Sequence, residues 1–390
     1  MVKKSQSKIV IFSVVFLDLL GFGVMIPMLP FFVRHFGEDA FSVGLLMFVY
    51  SLMQVIVSPI WGQISDRYGR RPVLLLTIAG QALAFLWAAL SGSFTSLLIS
   101  RVFAGAFAAN ISTASAYMAD ITSKEERAKG MGLIGAAFGL GFIFGPAIGG
   151  LLIPYGYEMP SYFAAAMSGL NLVWAWMVLD EPIGNREDRK ANRRKLSFQS
   201  YRETLSSSVL VYPILLFFFV TLAFTQLEVT FGLFVTDRFS FSERQAGLLF
   251  AGMGIVMAVV QGGLIGKLVK KFGEHGVIRL GLPLIAFGLL GLIFATSFPM
   301  LVAGLASLAV GYSLTNPCLS AWTSKSASSR NQGVVLGIYQ SAGSVARILG
   351  PISAGYFYRS DIIGAFVAAL GVIFLAQIVF FISRWTASSI

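Results

Sequence analysis

Residues 62–71 read Gly62-Gln-Ile-Ser-Asp66-Arg67-Tyr-Gly69-Arg70-Arg71, and the fold turns on how this stretch is understood. Two long apolar runs flank it, roughly 42–65 and 72–91, so it forms a short basic turn between two membrane-spanning helices. Six of its ten residues are polar or charged. Glycines at both ends permit close backbone approach and a tight reversal. An acid beside bases can bridge neighbouring helix ends, because carboxylates favour helix N-termini and cations favour C-termini. A plain positive-inside anchor would explain Arg67, Arg70 and Arg71. It requires neither the glycine spacing nor Asp66. Gly62, Asp66, Arg67, Gly69, Arg70 and Arg71 are therefore candidate gate residues.

The pattern Gly-x3-Asp-Arg-x-Gly-Arg-Arg after a second span resembles the signature loop of the major facilitator superfamily. The resemblance implies an all-α integral membrane protein with twelve transmembrane helices in two six-helix bundles. It also implies that an acid ending the fourth span, here Asp120 in Tyr117-Met-Ala-Asp120-Ile-Thr, pairs with a signature-loop arginine, and Arg67 is the expected partner.

Composition agrees independently. Hydrophobic residues make up 56% of the 390 and charged residues only 12%, which excludes an ordinary soluble domain. A span needs about 20 apolar residues. Twelve candidates fit: roughly 9–33, 42–65, 72–91, 94–118, 130–153, 160–179, 210–235, 245–266, 276–296, 299–322, 332–357 and 362–384. Little chain is left for a soluble domain. The 41 glycines suit helices whose backbones pack closely. Lys3, Lys4 and Lys8 before an apolar run imitate a secretory signal. The run is too long for one, contains Asp18 and lacks a small-x-small site before Pro27 and Pro30, so it is expected to be the first span. Two histidines and the single Cys318 cannot make a metal site, and no GxxxxGK[ST] cradle for ATP occurs. No enzyme, cofactor or metal is implied.

Charge sets an expected orientation. Of the 29 lysines and arginines, 23 fall on one side, only Arg34, Arg238, Arg244 and Arg359 on the other, and Arg101 and Arg347 inside spans. Such a bias predicts both termini in the cytoplasm. The net charge of +11 then reads as inner-face anchoring, not as a nucleic-acid surface.

The chain divides into 1–179, a charged linker over 180–209, and 210–390. The halves repeat weakly. A shift of 204 lays Gly62 and Gly69 over Gly266 and Gly273, with Asp66 becoming Lys270. A shift of 205 lays Gly145-Pro146 over Gly350-Pro351, and a shift of 206 lays Asn110 over Asn316. Parallel repeats of this kind mark two-bundle transporters that hold substrate near mid-membrane. Since Lys270 replaces the acid, no second-half latch is expected.

Span five carries Gly141, Gly145, Pro146, Gly149 and Gly150, a flat, bendable face for close packing. The string resembles the motif that marks drug:proton antiporters within the superfamily. Arg101, in Leu97-x3-Arg101-x3-Gly105, resembles the span-four arginine to which the family assigns proton transfer. An intramembrane arginine faces the protein interior unless it snorkels. Asp18 and Glu228 are the acids placed within spans, and a carboxyl in low dielectric can be protonated reversibly near neutral pH. Asp18 resembles the span-one acid of tetracycline-type exporters, and Glu228 the span-seven acid of multidrug exporters. Gln54, Asn110, Gln226, Asn316, Tyr339 and Gln340 are candidate cavity residues. Arg347 has no acidic partner in its own helix and receives no role from the sequence.

These readings converge on a secondary transporter, expected as a monomer, and the resemblance implies a proton-coupled exporter of small amphipathic compounds in the bacterial inner membrane. The alternatives are a metabolite or lipid facilitator or symporter, and a channel or receptor. No extramembrane signalling domain favours the last.

Overall fold

The computed structural model describes residues 2–108, 111–122, 127–182, 207–327 and 332–387. The described residues are helical nearly throughout. In chain order the helices are α1 Val2–Met25, α2 Leu29–His35, α3 Ala40–Tyr68, α4 Arg70–Ala89, α5 Phe94–Phe107, α6 Ile111–Ile121, α7 Arg127–Leu152 and α8 Met159–Val178. After residues 183–206, which lie outside the description, come α9 Ser208–Phe239, α10 Glu243–Val259, α11 Ile265–Ile293, α12 Phe298–Ser326, α13 Gln332–Ser360 and α14 Gly364–Ala387. Seven described stretches are long and apolar enough to cross a membrane, and one of them, Glu243–Ile293, runs to 51 residues and has length for two passes.

The first expected span is two elements. Helix α1 stops at Met25, a turn covers 26–28, and Pro30 opens α2. Pro27 forces this: a proline disfavours helical geometry at the residue before it and donates no hydrogen bond. The fourth expected span appears as α5 and α6 on either side of residues 109–110. Within the eighth, a π-helical turn over Val260–Leu264 joins α10 to α11, and the reversal before the ninth falls at Gly273 (φ 68, ψ 170) within α11. Glycine is needed there because that φ is left-handed.

Contacts group the chain into two compact units. Unit 1 holds 1–42, 46–193 and 241–251; unit 2 holds 43–45, 194–240 and 252–390. In unit 1, α1 packs along α7 and α8, and α4 along α5 and α8. Its core gathers Val10, Ile11, Val14, Val15 and Leu19 of α1 with Leu74, Ile78, Tyr117, Met118 and Ala137. Those α1 positions recur at helical spacing, which carries Asp18 onto the same buried side. In unit 2, α9 lies against α12, α13 and α14, and α11 against α12.

Candidate functional site

Gly69 ends α3 and begins α4 in one residue, at φ 113 and ψ 156. A β-carbon there would be strained and would stand 2.8 Å from Glu181 Oε2. The Glu181 carboxylate takes that space. Its two oxygens accept from the backbone N–H groups of Arg70 and Arg71, each at 2.8 Å. The start of α4 thus has an anion on two of its orphan donors. Glu181 arrives from beyond the end of α8, and nothing in the sequence singled it out.

Arg70 is the hub of this corner. Its Nη2 lies 2.7 Å from Asp66 Oδ1, its Nη1 donates to Ser65 Oγ at 2.6 Å, and its Nε lies 3.3 Å from Asp120 Oδ2. The residue is 8% exposed. Three helices, α3, α4 and α6, are therefore tied through one guanidinium, whose fork geometry suits several acceptors at once. This corrects the sequence reading, which gave Asp120 to Arg67. The guanidinium of Arg67 instead lies over the Tyr68 ring at 5.3 Å. Arg71 Nη2 donates to the Trp176 carbonyl at 2.8 Å, and Tyr117 Oη to the Asp180 carbonyl at 2.6 Å. Both bonds hold the end of α8 at the signature turn.

The glycine string of α7 faces α1. A β-carbon on Gly141 would stand 2.6 Å from Leu19 Cβ, and one on Gly145 would stand 2.7 Å from Gly23 Cα; one on Gly149 would overlap the Val24 carbonyl. Four-residue spacing puts all three on one side of the helix, and two backbones meet along it. Gly150 points elsewhere, against Gly247. Pro146 lies inside α7 and borders Gly23.

Arg101 is 2% exposed, so it is buried and does not snorkel. Its guanidinium sits 5.8 Å from the centroid of the Phe85 ring, and that ring occupies the space left by Gly21 of α1. Two of its donors, Nε and Nη2, have no acceptor among the described residues. One turn on, a β-carbon at Gly105 would overlap the Tyr50 carbonyl, which brings α5 against α3. Asp18 is 4% exposed. Gln54 donates to the Ala108 carbonyl at 3.1 Å, also in unit 1. Asn110 lies outside the described residues.

In unit 2, Glu228 is 3% exposed. Around its helix, Phe217 stacks on Tyr339 at 3.9 Å between centroids and Phe224 on Tyr312 at 3.8 Å. Asn316 donates to Tyr312 Oη at 3.5 Å, and Gln226 to Ser353 Oγ at 2.9 Å. A small apolar pocket is lined by Val220, Ala223, Phe224, Ile285, Leu289, Leu308 and Tyr312. The structure thus groups Tyr312 and Asn316 beside Phe224, one turn before Glu228, and Tyr339 beside Phe217. Gln340 is exposed.

A second charged corner was not expected. Lys325, at the end of α12, donates to Glu274 just after Gly273. The lysine beside it holds the Glu274 carboxyl below its ordinary range. Another pair without a sequence signal joins Tyr157 Oη to Glu243 Oε1 at 3.1 Å, with His35 packed on the Tyr157 ring. Burial, then the carboxylate, pushes the Tyr157 hydroxyl up.

The family description that matches the chain is the Major Facilitator Superfamily, over residues 11–351 and 229–389. The tetracycline resistance protein, class C, of Escherichia coli is 33% identical over 372 residues, covering 92% of this chain and 91% of the relative. Multidrug resistance protein 2 of Bacillus subtilis (strain 168) is 31% identical over 366 residues, with 91% and 89% covered. Among solved structures, the human organic anion transporter MFSD10 (TETRAN) superposes with a TM-score of 0.71 at 27% identity, over 97% of this chain and 99% of that one. A bacterial homolog of the human lysosomal transporter Spinster shares the fold, with a TM-score of 0.77 at 16% identity over 98% and 97%. A multi-pass membrane protein with this signature corner and this extent of similarity belongs to the major facilitator superfamily.

Proposed function

We propose that the protein is a proton-coupled antiporter that exports small amphipathic, drug-like compounds by alternating access. The observation that carries this reading is Glu228, a carboxyl 3% exposed on a helix that also carries Phe224, stacked on Tyr312, one turn before it. An acid so placed is costly to leave charged and suits reversible protonation coupled to substrate. The relatives' names, tetracycline and multidrug resistance, supply the substrate class. Segments 1–179 and 210–390 act as the two moving bundles, joined by 180–209, with both termini in the cytoplasm, where the lysines and arginines concentrate. The protein works as a monomer.

Asp18 and Arg101 serve the N-terminal half of the cycle. Gly62, Asp66, Gly69, Arg70, Arg71 and Asp120 form the cytoplasmic gate. Gln226, Asn316 and Tyr339 line the substrate path. Inverted membrane vesicles with an imposed pH gradient test the function, with tetracycline and ethidium as probes. Uphill accumulation is expected in the parent and its loss in Glu228→Gln. Accumulation by Glu228→Gln at the parent rate would remove Glu228 as the proton carrier. Accumulation only with the opposite gradient would make the protein a symporter.

A further inference from the structure

Helix α5 ends at Phe107, with Ala108 as its C-cap. The last carbonyls of a helix have no donor within it, and inside a bilayer water does not supply one. This end is buried. Ala104 and Ala108 pack with Tyr50 of α3, Ala84 of α4 and Phe22 of α1. Two side chains of another helix serve its carbonyls. Trp61 Nε1 donates to the Ala106 carbonyl at 2.7 Å, and Gln54 Nε2 donates to the Ala108 carbonyl at 3.1 Å. Both residues belong to α3 and stand two turns apart, so they share one side of it. Nothing in the sequence marked Trp61.

Further contacts fix the same end. A β-carbon on Gly105 would overlap the Tyr50 carbonyl, so α3 and α5 touch by backbone. The Trp61 ring packs on Phe107, with 5.7 Å between centroids and planes 38° apart. The Phe107 ring in turn fills the space left by Gly80 of α4. Arg101 stands one turn before Gly105 on this helix. Its buried guanidinium lies against the Phe85 ring, so the place of α5 decides where the charge sits.

We propose that Gln54 and Trp61 cap α5 from the neighbouring helix, and that through this cap they are positioning residues for Arg101. An indole N–H in an apolar setting takes an acceptor, and the orphan carbonyl of Ala106 provides it. Removing either donor leaves a buried carbonyl unpaired, which costs more than the bond itself contributes. The end of α5 then opens more often, and the guanidinium loses its fixed place. The transport part of this inference rests on the reading of Arg101 as part of the coupling machinery. The cap itself does not.

The test uses the full chain in detergent and in inverted vesicles, with Trp61→Phe, Gln54→Leu and Arg101→Lys. Trp61→Phe keeps a ring against Phe107 and removes the N–H donor. Hydrogen exchange of the backbone amides over 104–108 should quicken about tenfold in Trp61→Phe and in Gln54→Leu, with 97–100 unchanged. Unchanged exchange in either variant overturns that residue's part in the cap. The parent gives a reading that needs no variant: amides over 104–108 that exchange freely, as an uncapped end would, overturn the cap. Proton-driven tetracycline uptake at saturation should fall about tenfold in Trp61→Phe, with KM within about twofold of the parent. Tetracycline counterflow, which moves no net proton, should stay within about twofold. Arg101→Lys should show the same split. Uptake and counterflow that fall together in Trp61→Phe overturn the positioning role. If Arg101→Lys loses neither, the coupling reading of Arg101 falls and the positioning role with it, and the exchange measurement still decides the cap.

Discussion

Arg67 and Arg70 are three residues apart and meet different surroundings. Arg70 follows Gly69, and the left-handed backbone there starts a new helix that carries its side chain inward, to Asp66, Ser65 and Asp120. Arg67 closes the previous helix and rests on the Tyr68 ring. Replacing Arg70 by alanine should destabilise the protein by about 1–3 kcal/mol, less than a fully buried pair would cost, because its carboxylate partners remain partly exposed. Arg67→Ala should cost within about 0.5 kcal/mol, the usual range for an exposed site. Thermal unfolding of both variants in detergent checks the ranking, and an equal loss would return the hub to Arg67. Glu181 belongs to the same corner. Glu181→Ala should cost about 0.5–2 kcal/mol, since it removes the group that caps the start of α4. An unchanged melting temperature would show that water serves those two N–H groups as well.

At the scale of the helix, the glycines of α7 act together. Gly141, Gly145 and Gly149 let its backbone lie on that of α1 from Leu19 to Val24, the segment that follows Asp18. A leucine at 145 has nowhere to go, because Gly23 Cα and the Leu20 carbonyl already border the site. Gly145→Leu should therefore separate the two helices, with a loss at the upper end of the overpacking range, about 3 kcal/mol. Gly169, by contrast, has open space around it, and Gly169→Leu should be tolerated. Protein yield and uptake in the two variants check the difference. Full activity in Gly145→Leu would mean that α7 does not need to approach α1.

At the scale of the whole molecule, the two units carry the same corner with the charges exchanged. Gly69 and Gly273 are 204 residues apart and both have positive φ. The residue after each glycine is ionic, Arg70 in one unit and Glu274 in the other, and each meets an opposite charge at the end of a long helical segment, Asp120 or Lys325. The expectation of no second-half latch rested on Lys270 in the place of Asp66; Glu274, four residues later, brings an acid to that corner. Lys325→Glu should weaken uptake by placing two acids together, and adding Glu274→Lys should restore it. A double variant no better than the single would reduce the pair to a surface contact, which in general contributes little. The pH dependence follows from the sign of the shift. The Glu274 carboxyl titrates below its ordinary range, mainly because Lys325 donates to it. Its contribution is present above the ordinary carboxylate range and is lost as pH falls through the depressed value. Acid melting curves of the parent and of Glu274→Gln should therefore converge at low pH.

The sequence by itself determined the membrane class, the near-twofold repeat and the places where chemistry concentrates. Hydropathy, spacing and charge bias are local properties, and burial in lipid leaves a chain few alternatives to helices. It also marked Asp18, Arg101 and Glu228, because an ionisable group in an apolar run stands out at any depth. Tertiary structure decided which groups meet. Three arginines within five residues offered equivalent partners for Asp120, and only the backbone turn at Gly69 selected Arg70. Glu181 reaches the same turn from about a hundred residues along the chain, and Gln226 meets Ser353 from another helix. Periodicity gives a side chain its face on one helix. It does not say which neighbour covers that face, because packing depends on how all the helices fit at once.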